Sequence, residues 1–186
     1  MKLEVGNLVF SVETVVRDPT PEEREVADLN REATRHKQAK DWDAAIACLQ
    51  RAQALMRTHQ LSNTVEIWLR LPLFLQQAGY FEESMAEFNA LLSDAKPLIA
   101  RDYAHATANV RRSLLSTHLA RIHDKMRVAC KRQKLFEAAA RHERLAEQQW
   151  AIHAKLRPLI DAERKKKYQA HREKMEAMQA ARKRVG

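Results

Sequence analysis

Two passages between Leu29 and Leu92 share one sequence pattern, and this repetition limits the fold more than any other feature of the chain. Aligning the passages pairs Trp42 with Phe81, Ala45 with Ser84, Ile46 with Met85, Leu49 with Phe88 and Ala52 with Leu91. In both, a short turn precedes the aromatic residue, and apolar residues then recur at the three- and four-residue spacing of a helix. The repetition predicts two antiparallel helical hairpins.

The composition also favours helices. Of the 186 residues only 3 are Gly and 5 are Pro, while 45% are hydrophobic and 31% are charged. Strand-rich folds use more turn residues than this, and the length fits one domain. We therefore expect an all-α fold around a single core.

Capping residues place the first two helices. Thr20, Pro21 and Glu23 form a start signal with a capping box, so the first helix is predicted to begin at Pro21. The turn at residues 40–41 separates this helix from a second one, whose apolar stripe begins at Trp42. These two helices would be antiparallel.

A proline and a glycine shape the third helix. It is predicted to follow a cap at residues 62–64, to bend at Pro72 and to end at Gly79. The fourth helix is predicted to run from Phe81 to about residue 94.

The first residues alternate between apolar and polar side chains. This alternation continues to Val12, and Gly6-Asn7 offers a tight turn between two short runs. The segment of residues 1–17 is therefore predicted to form a short N-terminal β-hairpin or arm.

The two helical hairpins resemble tetratricopeptide repeats, in which an aromatic residue follows the turn and small residues line the second helix. The matching positions are Trp68, Leu71, Gly79, Phe81 and Phe88 in the second hairpin and Ala33, Trp42, Ala45, Leu49 and Ala52 in the first. Leu29, Glu32 and Pro72 depart from the family pattern. Trp42 and Phe81 are 39 residues apart, whereas family repeats are about 34 residues long.

The resemblance implies a concave groove that binds an extended or helical peptide of a partner protein. The positions facing that groove would be Asn30, Thr34, Lys37, Gln38, Glu66, Leu69, Leu73, Gln76 and Gln77. Amide side chains can hydrogen-bond a peptide backbone, and leucines can hold an apolar anchor. The family's set of Lys and Asn residues that grips a C-terminal carboxylate is incomplete here, so that specificity is not implied.

Two repeats of this kind cannot bury their apolar faces alone, because about three or more are needed for stability. After Pro97 the sequence predicts a helix of about 30 residues to Ala129, a break at residues 131–134 and another helix to residue 156. We expect residues 104–156 to form a longer, degenerate third hairpin that caps the first two. The predicted organisation is an arm at 1–17, a repeat-like domain at 18–156 and a basic helix at 157–186.

The positive charge is concentrated in the second half of the chain. Residues 1–100 carry 11 Lys and Arg against 15 Asp and Glu, whereas residues 101–186 carry 22 against 9. The basic patch of the last helix comprises Arg164, Lys165, Lys166, Lys167, Arg172, Lys174, Arg182, Lys183 and Arg184. Three interpretations stay open: a solvated helix, neutralisation of nucleic-acid phosphates, and docking on an acidic protein surface.

The sequence contains no pattern typical of an enzyme or a metal site. A Gly-rich phosphate loop and a GxSxG motif are absent, and the histidines lack metal-ligand spacing. Cys48 and Cys130 fit buried, reduced thiols inside helices. No apolar run is long enough to span a bilayer, and no secretion signal begins the chain. We expect no cofactor, no metal and a cytoplasmic, membrane-free protein.

The leading hypothesis is a small, non-enzymatic adaptor or inhibitor that binds a protein partner through its groove, with the basic half attracted to an acidic surface. The alternative is a nucleic-acid-associated protein whose basic C-terminal half contacts phosphate. The acidic first half and basic second half would also allow a head-to-tail homodimer.

Overall fold

The structure is a computed structural model that describes residues 18–185, with side chains to residue 180. The elements in this range are α1 (Pro21–Gln38), α2 (Trp42–Thr58), α3 (Val65–Trp68), α4 (Arg70–Ala78), α5 (Phe81–Asp102), α6 (Ala108–Arg132) and α7 (Phe136–Val185). The helical class expected from the composition agrees with this range. The predicted fold is corrected in one respect: the described residues 18–185 form helices joined by turns and contain no strand, so the structure does not support a β-hairpin. Residues 1–17, where the β-hairpin was predicted, lie outside the described residues.

Helix α1 begins at Pro21, as predicted. Thr20 Oγ1 accepts a hydrogen bond of 3.2 Å from the backbone N–H of Glu23, and Glu23 Oε2 accepts one of 2.8 Å from the backbone N–H of Thr20. These bonds satisfy donors that the start of a helix leaves open. Helix α1 packs against α2, and the alanines Ala33 and Ala45, both 0% exposed, lie in one buried cluster between them.

The third predicted helix is broken at Leu69, three residues before Pro72, rather than bent at the proline. Pro72 has no N–H to donate to the carbonyl of Trp68. Gln53 of α2 replaces that donor, because its Nε2 lies 3.0 Å from the Trp68 oxygen and its side chain is buried. At the other end, Gly79 has a φ of 96° and terminates α4, which confirms the predicted C-cap.

Two further prolines lie inside helices. Helix α5 continues past Pro97 to Asp102, and α7 runs through Pro158 without interruption, so the predicted helix boundaries near both prolines are wrong. Each proline removes one helical donor. The carbonyls deprived of a partner belong to Ser93 and Ala154, which are exposed, so water can hydrogen-bond them.

The predicted helix from residue 98 to residue 129 is divided. Residues 103–107 leave the helical conformation between α5 and α6. Thr107 then caps α6, because its Oγ1 accepts a hydrogen bond of 3.3 Å from the backbone N–H of Val110. The predicted break at residues 131–134 is confirmed as the turn between α6 and α7, in which Lys134 has a φ of 58°.

One buried cluster joins both repeated hairpins to α6. Its members are Val26, Leu29, Ala52, Met56, Val65, Trp68, Leu69, Phe88, Leu91, Ile122, Met126 and Ala129. Ile122 and Met126 of α6 are each 1% exposed. Helix α6 therefore supplies the apolar surface that two hairpins alone lack, in agreement with the expectation that later residues complete the core.

Helices α6 and α7 pack antiparallel through a more polar interface. Ala120 and Ala139 are buried, whereas Ser113 Oγ lies 2.8 Å from His153 Nδ1 and Trp150 Nε1 donates to Asp124 Oδ2 at 3.3 Å. Leu156 and Ile160 of α7 are buried as well. The pair thus combines buried apolar residues with hydrogen bonds between polar side chains.

Among the described helices, none is both long and apolar enough to cross a membrane.

Two histidines meet in the α6–α7 interface. The rings of His123 and His142 stack with centroids 5.4 Å apart, and their Nδ1 atoms are separated by 3.3 Å. Only one proton can lie between the two Nδ1 atoms, so the hydrogen bond requires at least one neutral ring. Burial lowers the pKa of both histidines, and the His142 charge further lowers that of His123 while Arg141 further lowers that of His142.

This pair predicts that acid destabilises the fold. Because the folded-state pKa values lie below those of the unfolded chain, the free energy of unfolding keeps its full value above about pH 6.5 and decreases as the pH falls below it. Urea unfolding between pH 5 and pH 7.5 measures this slope. The double variant His123→Gln/His142→Gln should reduce the slope, and the remainder should include His118, whose pKa burial also lowers. His171→Gln, which removes an exposed histidine, should leave the slope unchanged. An unaltered slope in the double variant would contradict the prediction.

Candidate partner-binding surface on the end of helix α7

Glu163 of α7 forms two hydrogen bonds with residues at the start of α6. Thr107 Oγ1 and Asn109 Nδ2, at the start of α6, each donate a hydrogen bond of 2.7 Å to the two carboxylate oxygens of Glu163. These two bonds lower the pKa of Glu163, and its charge is thereby favoured. The contact fixes the last half-buried position on α7.

The remaining residues of α7, 164–185, form what we call the projecting segment. Every described side chain in it, from residue 164 to residue 180, is exposed. At a rise of about 1.5 Å per residue, these 22 residues extend about 33 Å beyond Glu163. The described side chains of this segment are therefore accessible to solvent.

The projecting segment displays large apolar side chains. Tyr168, Met175 and Met178 are 52%, 42% and 47% exposed. At about 100° per residue they lie within about 80° of one another around the helix axis. They therefore form one apolar stripe, in the sense that a partner could contact all three from one side.

Cations surround this stripe. Residues 164–186 contain nine Lys and Arg against two Glu, a balance of +7. By the same angular spacing Arg164 lies within the stripe, Lys167 and Lys174 on one flank and Arg172 on the other. The two acidic residues, Glu173 and Glu176, lie outside the stripe, and Glu176 is 3.3 Å from Arg172.

The groove positions implied by the repeat resemblance have a different environment. Asn30, Leu69 and Gln76 are buried, and Leu69 is part of the apolar cluster that includes α6. Arg70 crosses from α4 to α1, donating 2.9 Å and 2.7 Å hydrogen bonds to the Asn30 carbonyl and Thr34 Oγ1. Its burial lowers the pKa of its guanidinium. The space between the first helices of the two hairpins is thus occupied by the chain's own side chains.

Side chains of helix α6 contact two further predicted groove positions. Arg121 pairs with Glu66, and Arg132 donates to Gln76 Oε1. Thr34, Lys37 and Leu73 are half-buried, while the exposed positions are Gln38, Glu66 and Gln77. The structure therefore brings the predicted groove residues near one another but does not leave them as one open surface.

The predicted basic patch is distributed along one element. Arg164, Lys165, Lys166, Lys167, Arg172 and Lys174 are all exposed on the projecting segment. Arg182, Lys183 and Arg184 belong to the same helix, but their side chains lie outside the described range. The sequence interpretation missed the Thr107–Asn109–Glu163 contact. The Thr107 cap signal was present, whereas the pairing with Glu163 depends on contacts between distant residues.

Within the described residues, no group of three or more His, Cys, Asp or Glu side chains could hold a metal ion. Cys48 and Cys130 are both free thiols, and burial raises the pKa of each. A raised thiol pKa keeps the nucleophilic thiolate scarce at neutral pH.

Comparison with known proteins found no matching family model, curated protein or solved structure. The tetratricopeptide resemblance accordingly stays a prediction from the residues that carry it.

Proposed function

We propose that this protein is a non-enzymatic adaptor that binds an acidic partner protein through the projecting segment of α7. The observation that carries the proposal is the exposed stripe of Tyr168, Met175 and Met178 flanked by cations. An amphipathic basic helix of this kind suits an apolar groove with an acidic rim, in which apolar anchors at helical spacing enter the groove. The cations would steer the encounter and pair with the rim.

The exposed methionines favour a protein over a nucleic acid as the partner. Phosphate neutralisation needs cations alone, and a helix used only for that purpose gains nothing from two exposed thioether side chains. Methionine side chains are flexible and polarisable, so they pack well against an apolar surface that is not perfectly complementary. The stripe therefore points to a helix-in-groove complex.

The rest of the molecule would act as a scaffold in this proposal. Because Leu69 and Gln76 are buried, we place partner binding on α7 and not in the groove that the sequence predicts. The repeated hairpins and α6 would instead hold α7 at a fixed angle through the contacts that end at Glu163. The tetratricopeptide-like hairpins would serve stability rather than recognition.

The experiment compares two probes of different chemistry. Calcium-loaded calmodulin offers an acidic, methionine-rich groove that accepts basic amphipathic helices, and a random 30-base-pair DNA duplex offers phosphate without such a groove. We expect Met175→Gln/Met178→Gln to weaken binding to calmodulin by about tenfold or more. Each change removes an apolar side chain that would be buried in the complex. Lys166→Gln, on the side of the helix opposite the stripe, is the control and should have a smaller effect.

The salt dependence separates the two partner classes. Tight binding to duplex with a steep salt slope, unchanged by the methionine variants, would replace this proposal with the nucleic-acid alternative. Absence of calmodulin binding by the full chain at low salt would also count against it.

A further inference from the structure

Helix α7 carries a second apolar stripe, on the part of the helix that packs against α6. Leu145, Ile152 and Leu159 recur at intervals of seven residues, which places them within about 40° of one another around the helix axis. Leu145 and Ile152 are half-buried, and Leu159 is 52% exposed. Among the described helices, α6 is the only one that packs extensively against α7. The stripe is therefore an apolar surface that no third helix of the described range covers extensively.

The charge of this part of α7 allows contact with a second copy of the chain. Residues 136–163 contain four Lys and Arg against five Asp and Glu, a balance of −1, whereas residues 164–186 have a balance of +7. Two helices of nearly zero net charge can lie side by side, but two strongly basic segments repel each other. A second copy on this stripe would therefore lie antiparallel, because the two projecting segments then point away from each other.

The stripe is self-complementary in such an arrangement. A two-fold axis through Ile152 brings Ile152 opposite Ile152 of the second copy. Leu145 then lies opposite Leu159 of the second copy, because the two leucines are seven residues to either side of the axis. Three apolar contacts follow one line at intervals of about two helical turns, as in an antiparallel pair of helices.

Charged side chains beside the stripe match across the same axis. Glu137 lies opposite Lys167 of the second copy, and Arg141 lies opposite Glu163 of the second copy. All four are within about 60° of the stripe around the helix, and no two like charges of α7 face each other within this arc. Glu163 already accepts two hydrogen bonds, and its carboxylate has lone pairs left for a further donor. The charges thus favour the antiparallel direction.

We infer that the packed part of α7 binds a second copy of this chain, antiparallel, through the stripe of Leu145, Ile152 and Leu159. Both copies use the same surface, so the assembly closes at two copies. An overlap of residues 137–167 is about 45 Å long and about 10 Å wide. It buries about 900 Å² in total, which is at the low end for specific interfaces, so the dimer dissociates on dilution.

The dimer carries its two projecting segments at opposite ends. Residue 185 is about 50 Å from Ile152 along the helix, so the two tips are about 100 Å apart. The inference does not rest on the proposed function, because it uses a different stripe of α7.

Sedimentation equilibrium of the full chain between about 5 μM and about 200 μM measures the dimer. We expect a dimer fraction that rises with concentration. Leu159→Lys places a cation against a leucine, and Ile152→Lys brings two ammonium groups together on the axis, so each should raise the Kd of the dimer at least about tenfold. Ala154→Lys adds the same charge at an exposed position on the opposite side of α7. It is the matched control and should change the Kd by no more than about twofold.

Disulfide cross-linking tests the direction of the helices. In a Cys48→Ala background, in which the remaining native thiol, Cys130, is buried, Ile152→Cys should cross-link to itself. Leu145→Cys should cross-link to Leu159→Cys when the two variants are mixed. Two copies of Leu145→Cys should not, because antiparallel packing separates those positions by about 21 Å.

Melting temperatures of all variants establish that each is folded. A monomer at every concentration would overturn the inference, as would an unchanged Kd in the folded Leu159→Lys variant, whose new side chain is at an exposed position. Efficient self-cross-linking of Leu145→Cys would also overturn it, because that result requires parallel helices. These outcomes are separate from the proposed function, since every variant keeps Tyr168, Met175 and Met178.

Discussion

Replacing Leu69 with aspartate is expected to unfold the protein rather than to remove one binding contact. Leu69 is 2% exposed and lies in the cluster that joins α1, α2 and α5 to α6. An ionised carboxylate in such an apolar site has no partner, so the change should cost more than about 4 kcal/mol. This is comparable with the whole stability of many domains, about 5–15 kcal/mol. Circular dichroism with urea unfolding measures the loss.

A matched control lies on the neighbouring helix. Gln77→Asp changes another predicted groove position that is exposed, and it should alter the free energy of unfolding by no more than about 0.5 kcal/mol. If Leu69→Asp instead unfolded cooperatively with a loss below about 1 kcal/mol, Leu69 would not be a core residue. The groove predicted from the sequence would then deserve a binding test at this position.

The second large effect is expected at Gln53. Its amide replaces the donor that Pro72 lacks, and Gln53→Leu would leave the Trp68 carbonyl buried and unpaired. Such a loss typically costs about 1–3 kcal/mol. Gln77→Leu removes an exposed amide that bonds within its own helix and should cost much less. Urea unfolding again provides the comparison.

A double-mutant cycle isolates this one hydrogen bond. Pro72→Ala supplies a backbone N–H that the Trp68 carbonyl can accept, so Gln53→Leu should be less damaging in that background. We expect a coupling free energy of about 1 kcal/mol between the two changes. Strict additivity would show that Gln53 stabilises the fold by packing and not by satisfying the carbonyl.

The elements governed by local chemistry were predictable from the sequence. The capping box at Thr20, the glycine that ends α4 and the turn before α7 each depend on residues close together in the chain. The effects of Pro72, Pro97 and Pro158 on their helices were predicted wrongly, because these effects depend on the residues that surround the carbonyl left without a donor. The carbonyls that Pro97 and Pro158 leave without a helical donor belong to exposed residues, whereas the one that Pro72 affects belongs to the buried Trp68 and accepts from Gln53 of another helix.

The candidate site was predictable only in its charge. The run from Arg164 to Lys167 and the apolar positions Met175 and Met178 are visible in the sequence. Their exposure is not, because it depends on where α6 begins and on the contact of Thr107 and Asn109 with Glu163. The burial of Asn30, Leu69 and Gln76 was not predictable for a related reason, since periodicity reports which face of a helix is apolar but not which helix packs against it. Binding at the predicted groove stays a prediction.

The uninterrupted backbone of α7 has a mechanical consequence. Helix α7 is continuous from its packed part to its exposed end. A change in the angle at which it packs on α6 would therefore displace the far end of the helix. Over an arm of about 33 Å, a tilt of about 10° displaces the tip by about 6 Å, roughly the length of one helical turn. The packing of alanines and of the paired histidines between α6 and α7 would therefore set the position of the proposed contact surface, which lies several turns away.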